Sequence, residues 1–205
     1  MLFAVAAGVG GRDADVDAAR ANLKAAQTNA AEAEQFSTAV ARERAAAYGR
    51  LDKAGAAIAL AGKAAATDPD PVAVQARRAH GLAEEQAATA DAKTHYAADL
   101  LALRNEQIDL RQAELDLVRA RANLAHHDWL ADKVPERSLD RDDFVKAARG
   151  AEAEARQKRT AVETMRTAVE TSERGWRDAR RHFLAAARSL GETAADVPPP
   201  SRPLD

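Results

Sequence analysis

The chain has 205 residues and no cysteine, and its 30 basic and 32 acidic residues give a formal net charge of -2. This balance provides no overall attraction to nucleic acid, and the absence of cysteine excludes disulfides, thiolate metal sites and a cysteine nucleophile. The hydrophobic fraction is 46% but only 4% of the residues are aromatic, so alanine supplies much of it. We therefore expect long helices that pack through small side chains.

The N-terminal run MLFAVAAGVGG is apolar and then rich in glycine. Residues 1–12 are predicted to be an apolar tail or the remnant of an export signal, because the run resembles the end of a signal core but is too short to cross a bilayer as a helix. An export signal would place the protein in the periplasm or cell envelope. Without one, the cytoplasm is the alternative.

Helix breakers divide the rest of the chain, and no segment alternates polar and apolar residues as a strand does. Asp70 and Pro71 suit the start of a second helix, Pro135 must end it, and Asp140 can cap a third. Leu139 and Phe144 are placed to form a hydrophobic staple there. The predicted helices run roughly from Asp13 to Ala66, from Pro71 to Ala131 and from Arg141 to Leu190.

Each predicted helix carries its own seven-residue apolar repeat. The first has a bulky row beside a row of small residues, the third has a bulky row, and the middle helix is apolar on two sides. On the first helix, the bulky row is Val16, Leu23, Ala30, Ser37, Arg44, Leu51 and Ile58, and the small row is Ala26, Ala33, Val40, Ala47 and Ala61. The row of the third helix is Ala155, Val162, Val169, Trp176 and Phe183. The two apolar sides of the middle helix are Leu103, Leu110 and Leu117, and Leu101, Ile108 and Leu115. The middle helix should therefore lie between the other two.

Short connections force consecutive helices to run antiparallel. The sequence thus predicts an all-α fold, an elongated antiparallel three-helix coiled-coil bundle (up-down-up) over residues 13–192, followed by a proline-rich disordered tail over 193–205. Trp176 and Phe183 should pack against the alanine-rich start of the second helix. Six glycines inside the helices mark either close approaches or bends; they are Gly49, Gly55, Gly62, Gly81, Gly150 and Gly175.

Candidate chemistry is sparse. His126 and His127 point about 100° apart on a helix, and no two histidines have the i, i+4 spacing that would chelate a metal, so we interpret the pair as solvated side chains near a helix end. There is no phosphate-binding loop or nucleotide fingerprint, and a bundle of narrow helices offers no cleft to raise a carboxyl pKa for acid or base work. We therefore predict no enzymatic activity, no catalytic residue, no cofactor and no metal.

A basic stripe follows the third helix and consists of Arg174, Arg177, Arg180, Arg181 and Arg188. Such a stripe can bind phosphates, so an alternative function is a helical binder of anionic surfaces such as membrane, lipopolysaccharide or nucleic acid. Arginine near a helix C-terminus is also favoured by the helix dipole, and acidic residues are interspersed along this stripe.

The run LRQAELDLVRARANL, a short break and SLDRDDFVKAARGAEAEA resemble the α-helical hairpin of periplasmic adaptor (membrane fusion) subunits of bacterial efflux and secretion pumps. The resemblance covers residues 103–168, and the β-rich domains that flank this hairpin in the family have no counterpart here. In the family the tip docks an outer-membrane channel through an Arg, a Leu and a Ser. Counted from Leu130, His126 and Arg137 stand where the Arg and Ser are expected, and Ser138 follows one place later.

The resemblance implies a hairpin tip that binds a protein partner, formed by His126, His127, Trp129, Leu130, Arg137 and Ser138. It implies a non-enzymatic scaffold or adaptor of the bacterial cell envelope that acts through helix-helix protein interactions. The partners expected are a second copy of the chain or an envelope complex. Nucleic acid is not expected as a partner, and peripheral membrane contact belongs to the alternative function.

Overall fold

The structure, a computed structural model, describes residues 3–64, 71–133 and 141–191, and in the first range it describes the side chains of 13–61. These ranges form three α-helices: α1 is Phe3–Ala64, α2 is Pro71–Lys133 and α3 is Arg141–Ser189. No strand occurs in the described ranges, so the prediction of an all-α three-helix fold is confirmed. The predicted cap at Asp140, the break at Pro135 and the staple residue Leu139 lie outside the described residues.

The described residues pack as two units, one made of residues 3–37 with 97–133 and 141–170, and the other of residues 38–64 and 71–96 with 171–191. We call these unit 1 and unit 2. The middle helix α2 packs against both α1 and α3. This arrangement explains why α2 is apolar on two sides, whereas an outer helix needs one apolar stripe.

In unit 1, α2 and α3 run antiparallel. Asp109 of α2 pairs with Lys158 of α3 at 2.6 Å, while Asp128, later on α2, pairs at 2.8 Å with Arg141, the first residue of α3. Between these pairs lies a small core cluster of Ala113, Leu117 and Ala155, with Ala151 packed against it. Further buried residues of unit 1 include Ala26, Ala30, Ala33, Leu103, Leu110, Leu115, Val162 and Val169.

In unit 2, polar pairs give the direction of α1 against α2. Glu43 pairs with Lys93, whereas Arg50, two turns later on α1, donates to Gln86, which comes earlier on α2. The two helices are therefore antiparallel here. The buried residues of this unit include Val40, Ala47, Ala83, Ala87, Tyr96, Trp176 and Ala187.

Most of the predicted apolar rows lie on packed faces of the helices, although Phe183 is half-buried and Arg44 is exposed. On α3, Ala155, Val162, Val169 and Trp176 are all buried. On α1, the small row is more deeply buried than the bulky row, because alanine lets two helix backbones approach closely while larger side chains stand at the flanks. Val40 is the largest residue of the small row and is only 1% exposed.

The helical glycines whose surroundings the structure describes are not close-approach points, and Gly62 is not among them. A Cβ atom added to Gly49, Gly81, Gly150 or Gly175 would meet nothing within 4 Å outside its own helix backbone and chain neighbours. At Gly55 the nearest atoms, in the ring of His80, are 3.9 Å away, which is an ordinary contact. Close packing therefore does not explain why these positions lack a side chain.

None of the helices, over the residues that the structure describes, contains a stretch long and apolar enough to cross a membrane.

Candidate interaction site at the end of α2

The last turns of α2 carry an exposed apolar pair. Trp129 is 41% exposed and its neighbour Leu130 is 37% exposed. The imidazole of His126 stacks on the Trp129 indole, with 5.8 Å between the ring centroids and 20° between the planes. Because this stack restricts the indole, Trp129 presents a preorganised apolar surface. We call His126, Trp129 and Leu130 the tip patch.

His127 points away from the tip patch and packs against α3. It is 6% exposed, and its ring lies 4.9 Å from that of Phe144 on α3. The interpretation of both histidines as solvated is therefore wrong for His127. The reason is geometric, since a rotation of about 100° per residue sends one of two adjacent side chains outward and the other toward the neighbouring helix.

An arginine-carboxylate pair connects the end of α2 with the start of α3. Arg141 donates from Nε to one oxygen of Asp128 at 2.8 Å and from Nη2 to the other at 3.3 Å. These hydrogen bonds lower the pKa of the Asp128 carboxyl below its usual range, and they raise the pKa of Arg141. The fork-like geometry of this pair is more specific than that of a single ion pair.

Two of the six residues predicted for the tip, Arg137 and Ser138, lie outside the described residues. The structure places His126, Trp129 and Leu130 together on the exposed side and His127 on the buried side. Phe144 contacts His127. Its predicted packing with Leu139 stays a prediction, because Leu139 lies outside the described residues.

The described side chains contain no group of three or more His, Asp or Glu residues that could hold a metal ion. His80 lies next to Glu84, one turn further along α2, with 3.6 Å between His80 Nδ1 and the Glu84 carboxylate. A histidine-carboxylate pair of this kind provides too few ligands for a structural or catalytic metal.

The basic stripe of α3 belongs to unit 2, and acidic neighbours on the same helix neutralise part of it. Arg177 pairs with Glu173 at 2.5 Å, and Arg181 pairs with Asp178. Arg174, Arg177, Arg181 and Arg188 are exposed, whereas Arg180 is half-buried beside a cleft. The five arginines therefore do not form one uniform anion-binding face.

A polar cluster between α1 and α2 in unit 2 was missed by sequence reasoning. Asp91 accepts hydrogen bonds from Arg44 Nε and from the Tyr48 hydroxyl, each at 2.6 Å, and the Arg44 guanidinium lies 5.0 Å from the Tyr48 ring centre. Arg44 occupies a position in the predicted apolar row of α1. A charged residue in such a row was the available signal, because it needs a partner there.

In each carboxyl group with a clear shift, namely Asp91, Glu114 and Asp128, the pKa is lowered. Burial alone would raise the pKa of Glu114, but hydrogen bonds from Arg111 and Arg159 outweigh this effect. Asp91 behaves in the same way through Tyr48 and Arg44. A general acid needs the opposite shift, toward neutral pH, so these carboxylates are suited to structural pairing.

Together these features define an all-α protein of three antiparallel helices with an exposed apolar tip. Comparison of the chain with protein-family models, curated proteins and solved structures gave no match.

Proposed function

We propose that the protein is a non-enzymatic coiled-coil scaffold or adaptor that binds a protein partner through the tip patch. The observation that carries this proposal is the exposure of Trp129 and Leu130 side by side at the end of a long helix. A partly exposed tryptophan beside another apolar side chain is the type of residue that contributes most of the binding free energy in protein interfaces. The lowered carboxyl pKa values of Asp91 and Glu114 support a role without acid-base catalysis.

The arrangement around the tip patch favours binding. Stacking on His126 restricts the indole before a partner arrives, so less conformational entropy is lost when the interface forms. The pair formed by Asp128 and Arg141 links α2 to α3 at the residue that precedes Trp129. The partner class that fits is a protein with an apolar groove, and the compartment we propose is the bacterial cell envelope, on the sequence resemblance described above.

The test is site-specific photo-crosslinking from the tip. A photoreactive amino acid at Leu130 should capture a discrete partner in envelope extracts, whereas the same probe at Glu154, an exposed position on α3, should not. The variant with Trp129→Ser and Leu130→Ser should abolish capture by a probe placed at His126. Its melting temperature should change little, because exposed positions contribute little to stability.

A second experiment, co-sedimentation with anionic vesicles, separates this proposal from binding to anionic surfaces. If the chain co-sediments with anionic vesicles in a salt-dependent manner and Arg174→Gln with Arg188→Gln abolishes this, the basic stripe is the functional surface. Equal crosslinking from Leu130 and Glu154 would contradict a partner site at the tip.

A further inference from the structure

Unit 2 contains a cleft of about 340 Å³ that lies between its three helices. This volume falls within the range of small-molecule sites. The lining comes from two turns of each helix: Glu43, Ala46, Ala47 and Arg50 on α1; Gln86, Thr89, Ala90 and Lys93 on α2; and Trp176, Arg180, Phe183 and Leu184 on α3. Two turns give the cleft a length of roughly 11 Å.

Differences in side-chain size create this cleft. Ala46, Ala47 and Ala90 are too small to fill the space beside Trp176 and Phe183. The indole of Trp176 is itself held in place, because it stacks on Tyr96 with 5.5 Å between ring centroids and 12° between the planes. The apolar part of the lining is therefore rigid on the Trp176 side and offers a narrow hydrophobic slot.

The charged side chains of the lining are mainly basic. Arg50, Lys93 and Arg180 contribute three positive charges, and Glu43 is the one carboxylate of the lining. Lys93 has a side chain only 10% exposed, donates to Glu43 at 2.5 Å and lies 5.7 Å from the Trp176 ring centre. Arg50 donates from Nε to the neutral side-chain oxygen of Gln86 at 2.8 Å.

We propose that this cleft binds a small anion with a narrow apolar body, of the class of medium-chain alkyl carboxylates. The alkyl chain lies along Ala47, Ala90 and Phe183, and the carboxylate lies near the guanidinium groups of Arg50 and Arg180. The positive charge of the lining attracts the head group, and burial of the chain supplies the main part of the binding free energy. The site is separate from the tip patch, which belongs to unit 1.

Octanoate is the probe, and its binding to the full chain is measured by isothermal titration calorimetry. Acetate has the same head group without the chain, and octylammonium has the same chain with the opposite charge. We expect binding of octanoate only. Arg50→Gln and Arg180→Gln should each weaken it by about threefold to tenfold, as expected for partly exposed charge-assisted hydrogen bonds, and Arg174→Gln, on α3 but outside the lining, is the matched control.

Two further variants test the position of the ligand and the sign of the charge effect. Ala90→Leu should abolish octanoate binding by filling the slot, with circular dichroism used to confirm that the variant folds. Glu43→Gln should strengthen binding by about threefold, because it removes the carboxylate that opposes the ligand. Equal binding of octanoate and octylammonium, no binding at millimolar concentration, or an unchanged affinity in Arg180→Gln and Glu43→Gln would overturn the proposal.

Discussion

Trp176 is the largest side chain that α3 buries, at 3% exposure. Its indole contacts Tyr96 and lies beside the ammonium group of Lys93, so truncation would remove both contacts and enlarge the neighbouring cleft. We expect Trp176→Ala to lower the free energy of unfolding by about 3 to 5 kcal/mol. Urea denaturation measures this, with Arg188→Ala, an exposed residue on the same helix, expected to change it by under about 0.5 kcal/mol. Equal effects would contradict the packing of α3.

The two histidines at the end of α2 should differ in their contribution to stability. His127 is buried against Phe144, whereas His126 is exposed. We expect His127→Ala to destabilise the protein by about 1 to 3 kcal/mol and His126→Ala to change stability by less than about 0.5 kcal/mol. Thermal melts of the two single variants test this difference, and similar melting temperatures would show that the burial of His127 contributes nothing.

The carboxylate of Asp91 should make unit 2 less stable in acid. Burial raises the pKa of its carboxyl, but the hydrogen bonds from Tyr48 and Arg44, with the nearby charge of His95, lower it overall. A lowered folded-state pKa means that the stabilisation is complete above the unfolded-state pKa and is lost as the pH falls through the folded-state value. Asp91→Asn should therefore destabilise the protein at neutral pH, and its difference in stability from the wild type should shrink as the pH falls below the unfolded-state pKa of an aspartate, about 3.9. A difference independent of pH would contradict this account.

Charged residues within apolar rows show how far single-sequence reasoning reaches. Lys158 falls in a second seven-residue row of α3, with Phe144, Ala151 and Met165. In the structure it pairs with Asp109 at 2.6 Å and lies 3.7 Å from Glu106. A lysine close to a packed face needs a carboxylate partner. The sequence does not predict which carboxylate, because a heptad pattern gives the packed face of each helix but leaves the axial register between two helices open.

At the scale of the elements, the long helices and their buried faces follow from the sequence alone. The repeat on α3 predicts the burial of Val162, Val169 and Trp176, and all three are buried. The position of His126, Trp129 and Leu130 before the helix-breaking proline was predicted, but whether the two apolar side chains close the bundle or stand exposed was left open. The divergence of His126 and His127 follows from helix geometry, but which of the two faces α3 was not predicted, because it depends on where α3 packs along α2.

Two glycines within α3 and one just after it test the account of this element, because replacing them with alanine should change stability in opposite directions. Gly150 and Gly175 are helical, and a Cβ at either position would meet no neighbour within 4 Å, so Gly150→Ala and Gly175→Ala should each stabilise the protein by about 0.5 to 1 kcal/mol. Gly191 follows the last turn with a φ of 71° and donates its amide to the carbonyl of Arg188. Gly191→Ala should destabilise by about 1 to 2 kcal/mol, because this backbone conformation is unfavourable for alanine.

Chemical denaturation of these three variants measures the effects. Destabilisation by Gly175→Ala would contradict the open surroundings of this position. Stabilisation by Gly191→Ala would contradict the left-handed end of α3.

At the scale of the whole molecule, each unit has its own buried residues although all three helices contribute to both. Unit 1 buries Leu103, Leu110 and Val162, and unit 2 buries Val40, Tyr96 and Trp176. Local opening follows the density of buried contacts, so a cavity in one unit should loosen that unit first.

Hydrogen exchange with mass spectrometry tests this division with a pair of matched variants. Trp176→Ala should accelerate amide exchange mainly in residues 38–64, 71–96 and 171–191, whereas Val162→Ala should accelerate it mainly in residues 97–133 and 141–170. The reason is that each substitution removes packing from one unit, and amides elsewhere keep their helical hydrogen bonds until the whole chain unfolds. Equal acceleration along the entire chain in both variants would instead establish a single cooperative unit, in which the three continuous helices transmit any loss of packing from end to end.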